Sequence, residues 1–181
     1  MTFDMPPVLC IIGRKNSGKT GLTVALAAEL NRRGYRVMTA KHGHGFLFDR
    51  PGKDSWRHRH QGGAVRTVMA GPRDLALVGA WPRGEMTLAE LVRRFLWDAE
   101  IVLAEGFKSS PEPKIEIHRR EVHLSPLYDT SDSESGRTLA LVTDDPTLDL
   151  PIPVFPLNGP KLAPSLADFV ENVLLGKGRE E

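Results

Sequence analysis

The chain of 181 residues has a single cysteine, Cys10, set inside an apolar run. One thiol excludes an intrachain disulfide framework and a four-thiolate zinc site. Cys10 reads as a small core residue. Charge of one sign is missing too: 24 Lys and Arg stand against 23 Asp and Glu, a net charge of +1. No general affinity for nucleic acid follows, and any basic site must be local. No apolar run approaches the roughly 20 residues of a membrane span. The opening MTFDMPPVLC has no basic region ahead of a long apolar one, so no signal peptide is expected. With 40% hydrophobic and 26% charged residues, the composition suits a soluble, cytoplasmic globular protein.

Neither an internal repeat nor a linker divides the sequence, so a single domain over residues 1–181 is expected. Residues 129–136, DTSDSESG, are small, acidic and polar and read as a mobile loop. The tail GKGREE, residues 176–181, reads as frayed. Apolar runs at Val8–Ile12, Tyr35–Ala40, Ile101–Ala104, Leu139–Thr143 and Ile152–Phe155 predict strands. Leu22, Ala25, Leu26 and Leu30 fall at helical spacing. So do Leu88, Leu91, Val92, Phe95 and Leu96, and later Leu166, Phe169, Val170, Val173 and Leu174. Strands alternating with helices predict a three-layer α/β domain with a mostly parallel sheet. Ala64–Ala70 and Leu75–Trp81, around Gly71 and Pro72, suggest an antiparallel hairpin added to it. Lys114–His118 alternates polar and apolar residues, as a half-buried or edge strand would. Such an edge would suit pairing with a second copy.

The motif that carries chemistry is GRKNSGKT, residues 13–20, which follows a predicted strand and opens a predicted helix. Gly13, Gly18, Lys19 and Thr20 satisfy the Walker A pattern. Glycines let the backbone curl so that the N–H groups of Lys15, Asn16, Ser17 and Gly18 can gather phosphate oxygens. Lys19 supplies charge for the terminal phosphates, and the Thr20 hydroxyl can ligate Mg²⁺. Such a site needs an acid at the end of another strand. IVLAEGFK offers Glu105, with Gly106 after it to let backbone approach the terminal phosphate. Thr20 and Glu105 are therefore the expected metal residues. Lys15 reads equally as a phosphate contact or as a solvated loop residue.

Residues 41–60, KHGHGFLFDRPGKDSWRHRH, leave the same predicted sheet edge. They hold His42 and His44, which suggest a transition metal less strongly than anion binding or turn capping. They also hold Lys41, Arg50, Lys53, Arg57 and Arg59, whose ordinary reading is a solvated face. Asp54 has two readings: a helix N-cap, or a catalytic acid that orients water or meets the Mg²⁺ shell. Asp144 in TDDP stands after a late strand, where an acid could meet guanine N–H groups or simply cap a turn. Asn158 is a second such position.

Taken together, GRKNSGKT, KHGHGFLFDRPGKDS, EGFK and KIEIHR, in that order, resemble the MobB family of molybdopterin-guanine dinucleotide biosynthesis adapter proteins. The resemblance covers about residues 8–120 and, more loosely, the rest. It implies a P-loop fold that binds GTP and Mg²⁺ and hydrolyses GTP weakly. By that resemblance Gly13 to Thr20 would hold the phosphates, Thr20 and Glu105 would serve Mg²⁺, and His42 and Asp54 would belong to the second loop; Gly21, His42, Gly106 and Asp144 complete the expected nucleotide-binding set. It also implies a homodimer and a partner, the guanylyltransferase MobA, which joins GMP to molybdopterin. The sequence departs from the family pattern at Gly21 and Ser55, where threonine is common, and it lacks an Asn-Lys-x-Asp guanine motif. Two other functions fit the P-loop: a ligase or kinase of the dethiobiotin synthetase kind, and a metallochaperone GTPase using His42 and His44. A third alternative is a structural module whose nucleotide only stabilises a dimer.

Overall fold

The computed structural model describes residues 5–43, 45, 49–81, 83–130 and 137–176. They form two compact units, one from residues 5–42 and 88–176 and one within residues 43–87. The sequence has no composition break at either boundary, which is why it reads as undivided. The mobile-loop reading of 129–136 and the frayed tail fall almost wholly outside the described residues.

The first unit contains β1 (Val8–Ile12), α1 (Lys19–Arg32), β2 (Val37–Lys41), α3 (Leu88–Phe95), β5 (Ile101–Glu105), β6 (Lys114–His118), β7 (Thr138–Thr143), β8 (Val154–Pro156) and α4 (Leu162–Val170). The second contains α2 (Asp54–His60), β3 (Arg66–Ala70) and β4 (Leu75–Gly79). The six strands of the first unit run in the order β2-β5-β1-β6-β7-β8, every neighbouring pair parallel. Because all are parallel, every strand delivers its carboxyl end to one edge.

Strand alternation sorts the core into two faces. Leu9, Ile11, Ile101, Leu103, Ile115, Ile117, Ala140 and Val142 point one way, onto Leu22, Leu26 and Leu30 of α1 and Leu166, Ala167 and Val170 of α4. Val8, Cys10, Ile12, Val102 and Ala104 point the other way, onto Leu88 and Val92 of α3. Each fully buried leucine of α1 contributes about 1.5–3 kcal/mol. This is the expected three-layer arrangement. After α4 the chain widens into a π-helical turn at Glu171–Leu175. The wider turn rotates the register, so Val173 is 47% exposed while Leu174 and Leu175 pack on the core.

One expectation, that for β6, is corrected. The expected antiparallel hairpin forms, as β3–β4 in a two-stranded sheet of its own. Its Val68, Leu75 and Leu77 share a face that is open to solvent. More important for function, β6 is an interior strand between β1 and β7, and all five of its residues are buried. Its alternation does not mark a half-exposed edge. The polar residues Lys114, Glu116 and His118 are buried, and each has partners. The edges of the sheet are β2 and β8, so self-pairing through β6 is excluded.

Candidate functional site

The phosphate-loop sequence leaves β1 at Gly13 and ends where α1 begins at Lys19. Its turn uses positive φ at three residues: Gly13 (149°), Asn16 (64°) and Gly18 (101°). Gly13 is required twice over, because a Cβ there would sit 2.4 Å from the Ile117 carbonyl oxygen and 2.7 Å from Ser17 Oγ. At Gly18 an added Cβ would meet Ile117 Cδ1 at 3.3 Å and Arg119 Nη2 at 3.6 Å. Inside the loop, the Arg14 carbonyl accepts from Ser17 Oγ at 2.9 Å and from Lys19 Nζ at 2.7 Å. Desolvation lowers the Lys19 pKa, Glu105 opposes that shift, and Lys41 adds to it. Gly21 differs from the loop glycines: nothing lies within 4 Å of a Cβ placed there.

The strand ends bring the second half together. Glu105 closes β5, in register with Ile11 of β1 and Lys41 of β2. Its Oε1 accepts from the Thr20 hydroxyl at 2.8 Å and pairs with Lys41 Nζ at 3.1 Å. Lys41 Nζ also reaches Thr20 Oγ1 at 3.4 Å. A hydroxyl and a nearly buried carboxylate, converging beside the phosphate loop and already facing an ammonium, fit a hard divalent cation that takes oxygen ligands. Lys41 is the residue that sequence reasoning undervalues. In the sequence it groups with the basic residues of the following loop, but as the last residue of β2 it is fixed opposite Glu105.

His42 continues the ladder: its N–H donates to the Glu105 carbonyl at 2.9 Å, and its ring lies 5.4 Å from that of Phe107. Gly106 has φ 97°, and its N–H donates to the Ile11 carbonyl at 3.0 Å. A Cβ on Gly106 would come within 3.2 Å of His42, so close backbone passage is what demands glycine there. Among the described residues no three His, Cys, Asp or Glu side chains gather as a metal group. Cys10 is buried, and desolvation pushes its thiol up to about 11.

On the other side of the loop, residues 119–128 fold back over the polar side of β6. The Glu116 carboxylate accepts the Leu127 N–H at 2.6 Å and the Tyr128 N–H at 2.8 Å. Burial raises the Glu116 pKa, and these two hydrogen bonds oppose the shift. Asp144 follows β7, and its Oδ1 accepts the Arg120 N–H at 2.7 Å. Asp145 caps the turn through Thr147 and pairs with Arg120 at 3.1 Å. Thr147, first, lowers the Asp145 pKa. The turn-capping reading of TDDP therefore belongs to Asp145. Asn158, after β8, is exposed.

The second unit holds Asp54, exposed in the first turn of α2, where Lys53 and not Asp54 is the N-cap. Asp49 organises this segment, which the sequence does not suggest. It accepts from Ser55 Oγ at 2.8 Å and pairs with Arg59 at 2.7 Å. Trp56 stacks on His60 with ring centroids 4.6 Å apart.

Residues 8–144 match the family model of molybdopterin guanine dinucleotide synthesis protein B. The molybdopterin-guanine dinucleotide biosynthesis adapter protein of Haemophilus influenzae is 36% identical over 171 residues, covering 93% of this chain and 89% of its own length. The adapter protein of Escherichia coli is 32% identical over 169 residues, 92% of each chain. Among solved structures, a molybdopterin-guanine biosynthesis protein B superposes with a TM-score of 0.69 at 26% identity, covering 92% of this chain and 99% of that one. Bacillus subtilis MobB superposes with a TM-score of 0.68, also at 26% identity, over 94% and 99%.

Proposed function

The chain belongs to the MobB family of molybdopterin-guanine dinucleotide biosynthesis adapter proteins, and from that premise we propose that it binds GTP with Mg²⁺ and assists transfer of GMP to molybdopterin. The observation that carries the nucleotide half of this reading is the Thr20–Glu105 hydrogen bond beside the phosphate loop. Two oxygen-bearing side chains 85 residues apart in sequence meet beside this loop, which supports a cation held there together with phosphate. Bound Mg²⁺ would neutralise charge on the phosphate oxygens. The chain's part is to hold the phosphates with the loop amides and Lys19, and to hold the cation with Thr20 and Glu105.

In this reading the protein is a slow GTPase, turning over on the order of once per minute or less, as unassisted GTPases do. Its partner is the guanylyltransferase MobA, which joins GMP to molybdopterin. A homodimer belongs to the proposal; β6 cannot be its contact, and light scattering with and without GTP tests it. The test of the adapter role is a reconstituted cofactor-forming assay with MobA at limiting GTP, with and without this protein. The expected result is a higher yield of the guanine dinucleotide in its presence. Equal yields at every GTP concentration, with no complex formed, would leave the ligase or kinase reading in first place.

A further inference from the structure

We infer that His123 is a positioning residue for the phosphate loop: its imidazole sets the orientation of the Lys15–Asn16 peptide through a hydrogen-bond chain that begins at the end of β7. The inference rests on the proposal that this loop binds phosphate.

His123 Nε2 lies 2.9 Å from the carbonyl oxygen of Lys15. A carbonyl oxygen only accepts, so Nε2 carries the hydrogen. The carbonyl oxygen of His123 is in turn 2.8 Å from His118 Nε2, which must also be the donor. That leaves His118 Nδ1, 2.9 Å from Thr143 Oγ1. In the neutral imidazole with its hydrogen on Nε2, Nδ1 only accepts, so the Thr143 hydroxyl donates to it while its oxygen accepts the Asp145 N–H at 3.0 Å. The chain thus has one consistent sense: the Thr143 hydroxyl donates to His118, His118 to the His123 carbonyl, and the His123 ring to Lys15. His118 is 2% exposed and held on both ring nitrogens, so it is a fixed strut.

The consequence lies in one peptide plane. In a trans peptide the C=O and N–H point in opposite directions, and none of the described peptides is cis. With the Lys15 oxygen held on His123, the Asn16 N–H must point to the side away from His123. Loops of this type use the N–H groups of successive residues to take up anions. The orientation is not the backbone's own preference. Asn16 has φ 64°, the left-handed region, which costs an L-residue up to about 1–2 kcal/mol and asparagine less than most. Rotating this peptide by half a turn would bring Asn16 back to negative φ and direct an oxygen where the N–H had been. The hydrogen bond from His123 opposes that rotation, and its net worth, about 0.5–1.5 kcal/mol, is of the same order as the strain. The nucleotide-binding orientation is therefore balanced, and His123 tips it.

The test is calorimetric titration with GTP and with GDP, each with Mg²⁺, of the full-length wild type, His123→Ala and His123→Gln, together with thermal melting in the absence of nucleotide. Glutamine places an amide N–H at about the reach of Nε2. The expected result is an affinity loss of about tenfold for both nucleotides in His123→Ala, equivalent to one hydrogen bond near 1.4 kcal/mol, and recovery to within about threefold of wild type in His123→Gln. Equal affinities for wild type and His123→Ala would overturn the inference, as would a loss that His123→Gln shares in full while still melting like the wild type. A wild type that binds neither nucleotide would instead remove the reading on which the inference rests.

Discussion

The Thr20 hydroxyl donates to Glu105 Oε1 at 2.8 Å, joining the first turn of α1 to the end of β5. Neither residue is near the other in sequence. The parallel register that sets Glu105 opposite Ile11 brings them together. Glu105→Gln keeps the shape of the side chain but loses the negative charge a hard cation selects. It also leaves the Lys41 ammonium facing an amide. We expect the Mg²⁺ concentration for half-maximal GTP hydrolysis to rise about 10–100-fold, with nucleotide binding less affected. An unchanged Mg²⁺ dependence would reduce Glu105 to a strand-end residue.

Two glycines close together in the sequence should respond in opposite directions. Gly13→Ala puts a Cβ 2.4 Å from the Ile117 carbonyl oxygen at φ 149°, so the strand end and loop must move apart. A loss of at least about 1–3 kcal/mol in urea unfolding is expected. Gly21 sits in the first turn of α1, and nothing outside the helix's own backbone lies within 4 Å of a Cβ added there. Gly21→Ala should add up to about 1 kcal/mol through helix propensity. Stabilisation by the first or destabilisation by the second would contradict the described loop.

Glu116 is 1% exposed and accepts one backbone N–H on each carboxylate oxygen. In Glu116→Gln one of those N–H groups faces an amide NH₂ that cannot accept. A buried donor left unpaired costs about 1–3 kcal/mol. Urea unfolding should show that loss, and hydrogen exchange at Leu127 and Tyr128 should quicken. Neither change would occur if residues 119–128 were not anchored to β6.

Glu29 accepts from Arg32 and Arg33, and these bonds hold its carboxyl at about 2, below the ordinary 4.5. A depressed folded-state pKa contributes stability above the unfolded value and loses it as pH falls through the folded value. The stability of the wild type should therefore decline between about pH 4.5 and 2. Glu29→Gln should show a shallower decline across that window. Arg33 also bonds Asp168 and Glu171, so loosening Glu29 should weaken the contact of α1 with α4. Parallel pH curves for the two proteins would dismiss this role.

Much of this architecture is legible in local sequence signals. GRKNSGKT carries its own backbone demands, and the uniform apolar runs of β1 and β5 mark buried parallel strands. Glu105 can be found because a strand-end acid is a positional signal. What escapes the sequence depends on packing partners. The alternation of β6 suggests an edge, yet the polar positions are buried because residues 107–128 supply their hydrogen bonds. No periodicity encodes such a partner. Lys41 and His123 escape for a related reason. Each matters through a residue distant in sequence, Glu105 for one and Lys15 for the other.

The most direct measurement is a calorimetric titration of wild type and Lys19→Ala with GTP and with ATP, each with Mg²⁺. Lys19 is the focal charge of the loop, and its removal leaves the backbone donors of the loop without that charge. The account predicts that wild type binds GTP more tightly than ATP and that Lys19→Ala binds at least about 100-fold more weakly while melting like the wild type. Binding by Lys19→Ala within about threefold of wild type, or equal affinity of wild type for the two nucleotides, would contradict it.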